Sequence, residues 1–470
     1  MALRKNKLDV ASVFSANLFG KYSSKPNPPW ISEYYVNNVW FETAGLDETK
    51  PCAPLLEKKA KADIAIIGGG FTGLSSAYHL AKRFPSKRIV LLEAARCGYG
   101  ASGRNGGHAI AFPTTQILEV FKRLGPEAAS KYVSVSKQGI GVIKSLIENH
   151  GLNCDLEESG SIVLIEKENH IDWLMDEWKK LESIGIESEF LNRKDISEKL
   201  KTNHFWGGIK SISEGGLDPC KLALEMKTLV QSMNVELFEQ TRATSVTPGN
   251  PVAIKTEFGE VLADAVVIGT NGYSSTLGLF KKYMIPYHDY IIATEPLSSE
   301  QMSSIGWKDR EALSDSRNLF NYFRLSADNR IVFGGEIIKY YYGSRASSGN
   351  NKYVLSLLEK RLIEIWPQLK EVKIGHRWGG TDGLTWDILP LIGVLGDHHN
   401  IFYSVGYSGE GVCWANLAGK MISQLYAKED TDLTQFFLLN TRPPYIPPEP
   451  FRKIGVDAYI KYLAIKDRLF

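Results

Sequence analysis

Gly68, Gly70 and Gly73 stand at the spacing G-x-G-x-x-G, and Glu93 follows 20 residues after the last of them. Glycines at this spacing allow a tight turn and let the backbone approach a pyrophosphate with no Cβ in the way. A helix starting at such a turn presents unpaired N–H groups and a partial positive charge to the phosphates. A carboxylate at the position of Glu93 can accept hydrogen bonds from both hydroxyls of a ribose. These residue types point to dinucleotide binding. The plain alternative is a glycine-rich turn with no ligand.

The motif carries that meaning only between the right elements, and they are present. Ile64 to Ile67 is a short β-branched apolar run, read as a buried strand. From Leu74 the pattern turns helical, with Ala77, Leu80 and Ala81 as its apolar stripe. Pro85 to Lys87 break the helix, and Ile89 to Leu92 form a second strand that delivers Glu93. Strand, turn, helix, strand and acid together make the glycines specific.

A second glycine-rich stretch, Cys97 to His108, follows at once and holds five glycines. So many glycines mean that the backbone itself must approach something closely or turn with positive φ. Its place beside the nucleotide unit suggests a cradle for the rest of a cofactor, with Arg104 as a charge partner for a phosphate. An ordinary surface loop is the bland alternative. A third element of the same kind lies near the far end of the chain. The strand Ile401 to Val405 leads through Gly406-Tyr407-Ser408-Gly409-Glu410-Gly411 into a helix from Val412 to Ala427.

Between these blocks the chain alternates helices and strands. Two helices fill 115–150, with shorter ones at 171–184 and 195–200 and another from Pro219 to Val230. Strands are expected at 161–165, 235–238, 243–246, 252–257 and 261–268. The last is apolar throughout and runs into Gly269-Thr270-Asn271-Gly272-Tyr273, the kind of strand end where open α/β sheets place ligands. Residues 285–335 are β-rich, and 350–368 form a helix with Leu355, Leu358, Leu362 and Ile365 in register. Residues 1–60 form a leader whose Trp30, Tyr34, Tyr35, Trp40 and Phe41 are too aromatic for a disordered tail. They are expected to pack on the outside of the nucleotide domain. Residues 431–470 are proline-rich, end in a short helix and are expected to wrap the surface.

At 470 residues the chain holds two domains, or one with a large insertion. A formal charge of +2 gives no electrostatic reason to expect a nucleic-acid or membrane partner. No apolar run is long enough for a transmembrane helix. The five cysteines are scattered and contain no C-x-x-C pair, which argues against disulfides or a zinc site, so no metal is expected. Cysteine usage fits a reducing compartment, and a cytoplasmic location is expected.

Four blocks, Gly68–Glu93, Gly100–His108, Gly269–Tyr273 and Arg377–Gly411, resemble in order the FAD-dependent D-amino-acid oxidase superfamily. The run Gly100-Ala101-Ser102-Gly103-Arg104-Asn105-Gly106-Gly107 is similar to the γ-glutamylputrescine oxidase branch. The resemblance implies an α/β (α+β overall) architecture. A Rossmann-like FAD-binding domain would be built from the discontinuous segments 61–150, 211–275 and 371–430. A β-sheet-rich substrate domain would comprise 151–210 and 276–370. It also implies oxidation of a C–N bond of a small amine or amino acid, γ-glutamylated polyamines included, by hydride transfer to flavin N5 and hydrolysis of the imine. Oxygen or another acceptor would take the electrons, and FAD would be held non-covalently.

By the same resemblance, Gly68, Gly70, Phe71, Thr72, Gly73 and Glu93 hold the ADP half, and Ala243 offers a backbone contact to adenine. Ser102, Arg104, Asn105 and Gly107 line the flavin, and Gly106, Thr270 and Asn271 are further cofactor-binding residues. Gly409 and Gly411 cover the flavin ring edge, and Glu410 and Val412 are further cofactor-binding residues. The helix N-terminus at Gly411 would stabilise negative charge developing near flavin N1 and C2=O. Arg377 is the candidate to orient the substrate; an ion pair with Asp382 or Asp387 is its structural alternative. Tyr322 and Arg324 are secondary candidates. The sequence departs from the superfamily at Glu410, where Ser-Gly-His-Gly has histidine. Two other readings stay open: a redox-inactive flavoprotein subunit and a nicotinamide-dependent dehydrogenase.

Overall fold

The computed structural model describes residues 4, 7–14, 37–46, 49–211, 215–346 and 350–469. Trp30, Tyr34 and Tyr35 of the leader lie outside them. Two eight-stranded sheets dominate the described residues.

The first sheet has a parallel centre. Lys59–Ile67 lies between Glu260–Ile268 and Ile89–Leu92, with Ile64 opposite both Ala265 and Ile89. Glu236–Phe238 extends one side. Ile401–Val405 extends the other in parallel, and Leu391–Leu395 closes that edge antiparallel. Val252–Thr256 pairs antiparallel with Glu260–Ile268 and carries Ala243–Thr247 antiparallel on its other side. The strand from Lys59 begins five residues before the apolar run because Lys59 and Lys61 face solvent while Ala60 and Ala62 are buried. Only its last four residues are covered on both faces and read as a continuous apolar run. Along them the side chains alternate. Ile64 and Ile66 pack with Leu74, Ala77, Leu417 and Met421 of the helices Phe71–Arg83 and Gly411–Tyr426. Ala65 and Ile67 pack on the opposite face with Val266, Ile268 and Tyr403.

The second sheet runs in the order Ile374–Thr385, Met284–Thr294, Ile331–Gly335, Asn321–Leu325, Ala312–Asp315, Ser161–Leu164, Gly207–Ser211 and Ser188–Asn192. One face carries Ile292, Phe323 and Phe333 and is covered by Val354, Leu358 and Leu362 of the helix Lys352–Ile365. The other face carries Ile291, Val332 and Trp378 and meets Val39, Trp40 and Phe41. Trp40 and Phe41, expected on the outside of the nucleotide domain, are buried between the second sheet and the helix Pro219–Ser232.

The strand Ile374–Thr385 was not expected, since Gly375, Gly379, Gly380 and Gly383 lower its β propensity. It pairs with Met284–Thr294 along its length, so it joins the second sheet rather than the 371–430 segment assigned to the nucleotide domain. Gly207–Ser211, Ser188–Asn192 and Ala312–Asp315 are further strands that the sequence pattern hides.

Candidate active site

The glycine motif forms a cradle that side chains would fill. Gly68 has φ +106°, and a Cβ there would lie 2.8 Å from the Gly269 carbonyl oxygen. A Cβ on Gly73 would sit 1.8 Å from the Gly68 oxygen, so helix and turn pack through bare backbone. Gly70 caps the helix Phe71–Arg83 with no side chain. A Cβ on it would come 2.7 Å from Ser102 Oγ, which accepts the Phe71 N–H at 2.9 Å. At the strand end, Glu93 Oε2 accepts the Gly69 N–H at 2.7 Å and Oε1 the Ala95 N–H at 2.8 Å. Each oxygen keeps further acceptor capacity. Burial pushes this carboxyl up to about 7, against the pull of those backbone donors. The Thr241 N–H donates to the Glu93 carbonyl at 2.8 Å, which brings the strand starting at Ala243 to the same end of the sheet.

The second glycine loop is held from behind. Asn38 Nδ2 donates to the Gly103 carbonyl at 2.8 Å, Trp40 Nε1 to Asn105 at 2.8 Å and Trp378 Nε1 to Arg104 at 2.9 Å. Asn105 braces the loop internally, accepting the Gly107 N–H at 2.8 Å and donating to the Ala101 carbonyl at 2.9 Å.

The third glycine loop returns to the first. Thr72 Oγ1 and the Tyr407 hydroxyl are 2.7 Å apart, and Ser75 Oγ donates to the Asn416 carbonyl at 2.6 Å. The two glycine-started helices pack closely enough that a Cβ on Gly419 would meet Ser75 at 2.3 Å. Asp382 then fixes the loop to the second sheet. It accepts the Gly409 N–H at 2.8 Å, the Tyr287 hydroxyl at 3.1 Å and the Asn271 amide. Asn271 Oδ1 in turn accepts the Gly406 N–H at 2.8 Å. Burial raises the Asp382 carboxyl above its ordinary value.

The near face of the second sheet meets the glycine loop at Gly106, where a Cβ would lie 2.6 Å from Tyr322 Cε2. The Tyr322 hydroxyl donates to Asp289 Oδ2 at 2.5 Å. Burial pushes Asp289 up to about 6 and Tyr322 and Tyr287 well above the usual tyrosine range. Neither Asp289 nor Asp382 has a cationic side chain within ion-pair distance among the described residues. His108 packs edge-on to Tyr322, with ring centres 5.6 Å apart, and burial holds it down to about 4.

Comparison with known proteins identifies this arrangement. Residues 63–425 match the family model described as FAD dependent oxidoreductase. The chain belongs to that FAD-dependent oxidoreductase family. It is 30% identical to the γ-glutamylputrescine oxidoreductase of Escherichia coli over 423 residues, covering 88% of this chain and 95% of the relative. It is also 30% identical to a probable oxidoreductase, OrdL, of Haemophilus influenzae over 440 residues, 91% of this chain and 97% of that one. Among solved structures, glycine oxidase from Geobacillus kaustophilus superposes with a TM-score of 0.67 at 21% identity, covering 81% of this chain and 98% of the other.

The residues present fit FAD. The oxidoreductase has an open phosphate cradle at Gly70, a carboxylate with spare acceptor capacity at Glu93, and a second uncapped helix start at Glu410–Gly411, where no side chain caps the N–H groups.

Several candidates take other places. Arg377 points away from the glycine loops: its Nε donates to Glu359 of the covering helix at 2.6 Å and its Nη1 to the Ile374 carbonyl at 3.0 Å. It alternates with Trp378, which faces the loop, so strand pleating turns Arg377 to the far side. Asp387, its other suggested partner, pairs instead with Arg4 at 2.8 Å. Arg324 is buried behind the loop, with Nη1 donating to the Leu217 carbonyl and, at 3.3 Å, to that of Gly107. Arg104 donates to the carbonyls of Tyr99 at 2.6 Å and Gly379 at 3.0 Å and lies over the Tyr99 ring, so it joins loop to sheet rather than facing a phosphate. Ser102 lies beside Gly70 and the start of the helix Phe71–Arg83. Thr270 Oγ1 meets Ser274 at 2.8 Å, and Val412 is buried in its helix.

Sequence reasoning missed Tyr287, Asp289 and the junction role of Asp382. The signal for Asp289 was the one acid in the strand Met284–Thr294, at a position that alternation puts with Tyr287 and Ile291.

Proposed function

We propose that this enzyme oxidises a C–N bond of a small amine that carries positive charge, γ-glutamylated polyamines being the leading candidates. The observation that carries this reading is the acidic group of Asp289, Asp382, Tyr287 and Tyr322, which meets the Gly106 loop through Tyr322 and in which neither carboxyl has an ion-pair partner among the described residues. The 30% identity to a γ-glutamylputrescine oxidoreductase supports the substrate class.

Bound FAD would supply a hydride acceptor for the carbon that bears the nitrogen, once that nitrogen has lost its proton, and water would hydrolyse the imine to carbonyl and amine. The chain's own residues supply position and field. Gly68, Gly70 and Gly73 with the Phe71–Thr72 helix start receive the pyrophosphate, and Glu93 receives the ribose. Asp289, oriented by the Tyr322 hydroxyl, attracts and orients the substrate ammonium. A carboxylate in this partly desolvated site acts more strongly than it would in water. Glu410 opens the helix Gly411–Tyr426, whose N-terminus favours negative charge beside it. Asp382 holds that loop through the Gly409 N–H.

Anaerobic mixing of the purified holoenzyme with polyamines, their γ-glutamyl derivatives, N-methyl amino acids and D-amino acids tests the proposal. Rapid flavin bleaching by the cationic amines supports it. Bleaching by the zwitterionic amino acids alone overturns it.

A further inference from the structure

The helix Phe451–Leu469 has 19 residues and buries only Arg452. Both its ends are fastened. Arg452 donates to the carbonyls of Pro447 at 2.9 Å and Lys281 at 2.6 Å. Asp467 accepts the N–H groups of Asn318 and Leu319, each at 2.8 Å. The helix is therefore held flat against the molecule with one face outward.

That outward face is apolar. Phe451, Ile454, Tyr459, Tyr462, Ile465 and Leu469 are each between 55% and 70% exposed. The spacings of three, eight, three and four between 451, 454, 462, 465 and 469 put most of them in one stripe along the helix. Tyr459 stacks on Tyr462 with ring centres 6.3 Å apart and meets Trp386, itself 58% exposed, at 6.4 Å. A contiguous apolar surface of this kind marks an interaction site rather than scattered surface residues.

The charges say which partner fits. Lys461, Lys466 and Arg468 are exposed along the stripe and form no ion pair among the described residues. The two acids of the helix are already engaged: Asp457 pairs with Lys453, and Asp467 faces inward on Asn318 and Leu319. With Asp457 balanced by Lys453, the remaining outward charge is positive. A second copy of this face would set cations against cations. An anionic lipid surface would satisfy both features, with apolar side chains at the headgroup boundary and the lysines and arginine on phosphates.

We propose that the helix Phe451–Leu469 docks the protein peripherally on an anionic phospholipid membrane. The test is co-sedimentation of the full-length holoenzyme with vesicles of phosphatidylcholine alone and of equal parts phosphatidylcholine and phosphatidylglycerol. The expected result is at least about tenfold stronger binding to the mixed vesicles. Two variants, I454S/I465S and K461E/K466E/R468E, change only exposed side chains, and unchanged flavin spectra and melting temperatures check that both fold. Each is expected to lose at least about fivefold in binding. Absence of binding to both vesicle types overturns the proposal, as does binding that neither variant weakens. A concentration-dependent dimer in sedimentation velocity that I454S/I465S dissociates, without vesicle binding, assigns the stripe to a second copy and equally overturns it.

Discussion

Thr72 and Tyr407, 335 positions apart, share a buried hydrogen bond of 2.7 Å between their hydroxyls. The Tyr407 hydroxyl also donates to Ser404 Oγ at 2.8 Å, so Thr72 is the donor to Tyr407. This chain of hydroxyls pins the first turn of the helix Phe71–Arg83 to the loop that starts the helix Gly411–Tyr426. Tyr407→Phe removes the central member and leaves Thr72 and Ser404 short of a partner. A loss of about 1–3 kcal/mol is expected, read as a lower melting temperature of the apoprotein. An unchanged melting temperature would show that the two helix starts do not depend on this link.

Glu93 combines spare acceptor capacity with a carboxyl that burial pushes up to about 7. Protonation fills one acceptor site, so FAD affinity is expected to weaken as pH falls through that value. Glu93→Gln presents an amide donor to one of two backbone donors, those of Gly69 and Ala95. About a tenfold or greater loss of FAD affinity is expected, with the pH dependence removed. Equilibrium titration of apoprotein with FAD across the pH range measures both.

Arg377 and Glu359 form an ion pair in which each side chain is 36% exposed. Solvent screening keeps such a pair near or below about 1 kcal/mol. Arg377→Met should therefore lower the melting temperature slightly and leave KM for an amine substrate unchanged. A rise in KM with unchanged stability would return Arg377 to the substrate site.

Asp289, pushed up to about 6 by burial, is neutral below that pH and anionic above it. A cationic substrate is attracted only by the anion, so kcat/KM should rise with pH through about 6. Asp289→Asn should lower kcat/KM at neutral pH through KM and abolish that limb of the profile. Any limb from deprotonation of the amine itself would remain. Steady-state kinetics over pH, with the same amine for both proteins, decides it.

Much of the nucleotide sheet was legible because its signals are local. The apolar run before Gly68, the break at Pro85 and the run before Glu93 lie within one continuous stretch. The strand Ile374–Thr385 was hidden because its glycines serve close packing: a Cβ on Gly379 would meet Tyr290, and one on Gly383 would meet Met284 and Asn271. Composition alone reads such glycines as loop. The misplacement of Arg377 has the same origin, since the face a side chain takes follows from strand register, and the strand itself was not recognised. Asp289 was legible in principle as the lone acid of the segment Met284–Thr294. What it faces depends on the Gly106 loop, more than 180 residues earlier, and no local pattern encodes that distance.

Calorimetric titration of the apoprotein with FAD tests most directly whether the glycine loops at Gly70 and Gly409 serve one cofactor. Gly70→Val places carbon against Ser102 Oγ, and Gly409→Val strains a residue with φ +98°. The expected result is one FAD per chain for the parent protein and at least about tenfold weaker binding in each variant at the same stoichiometry. Unchanged FAD affinity in Gly409→Val, with the loss confined to Gly70→Val, would contradict it.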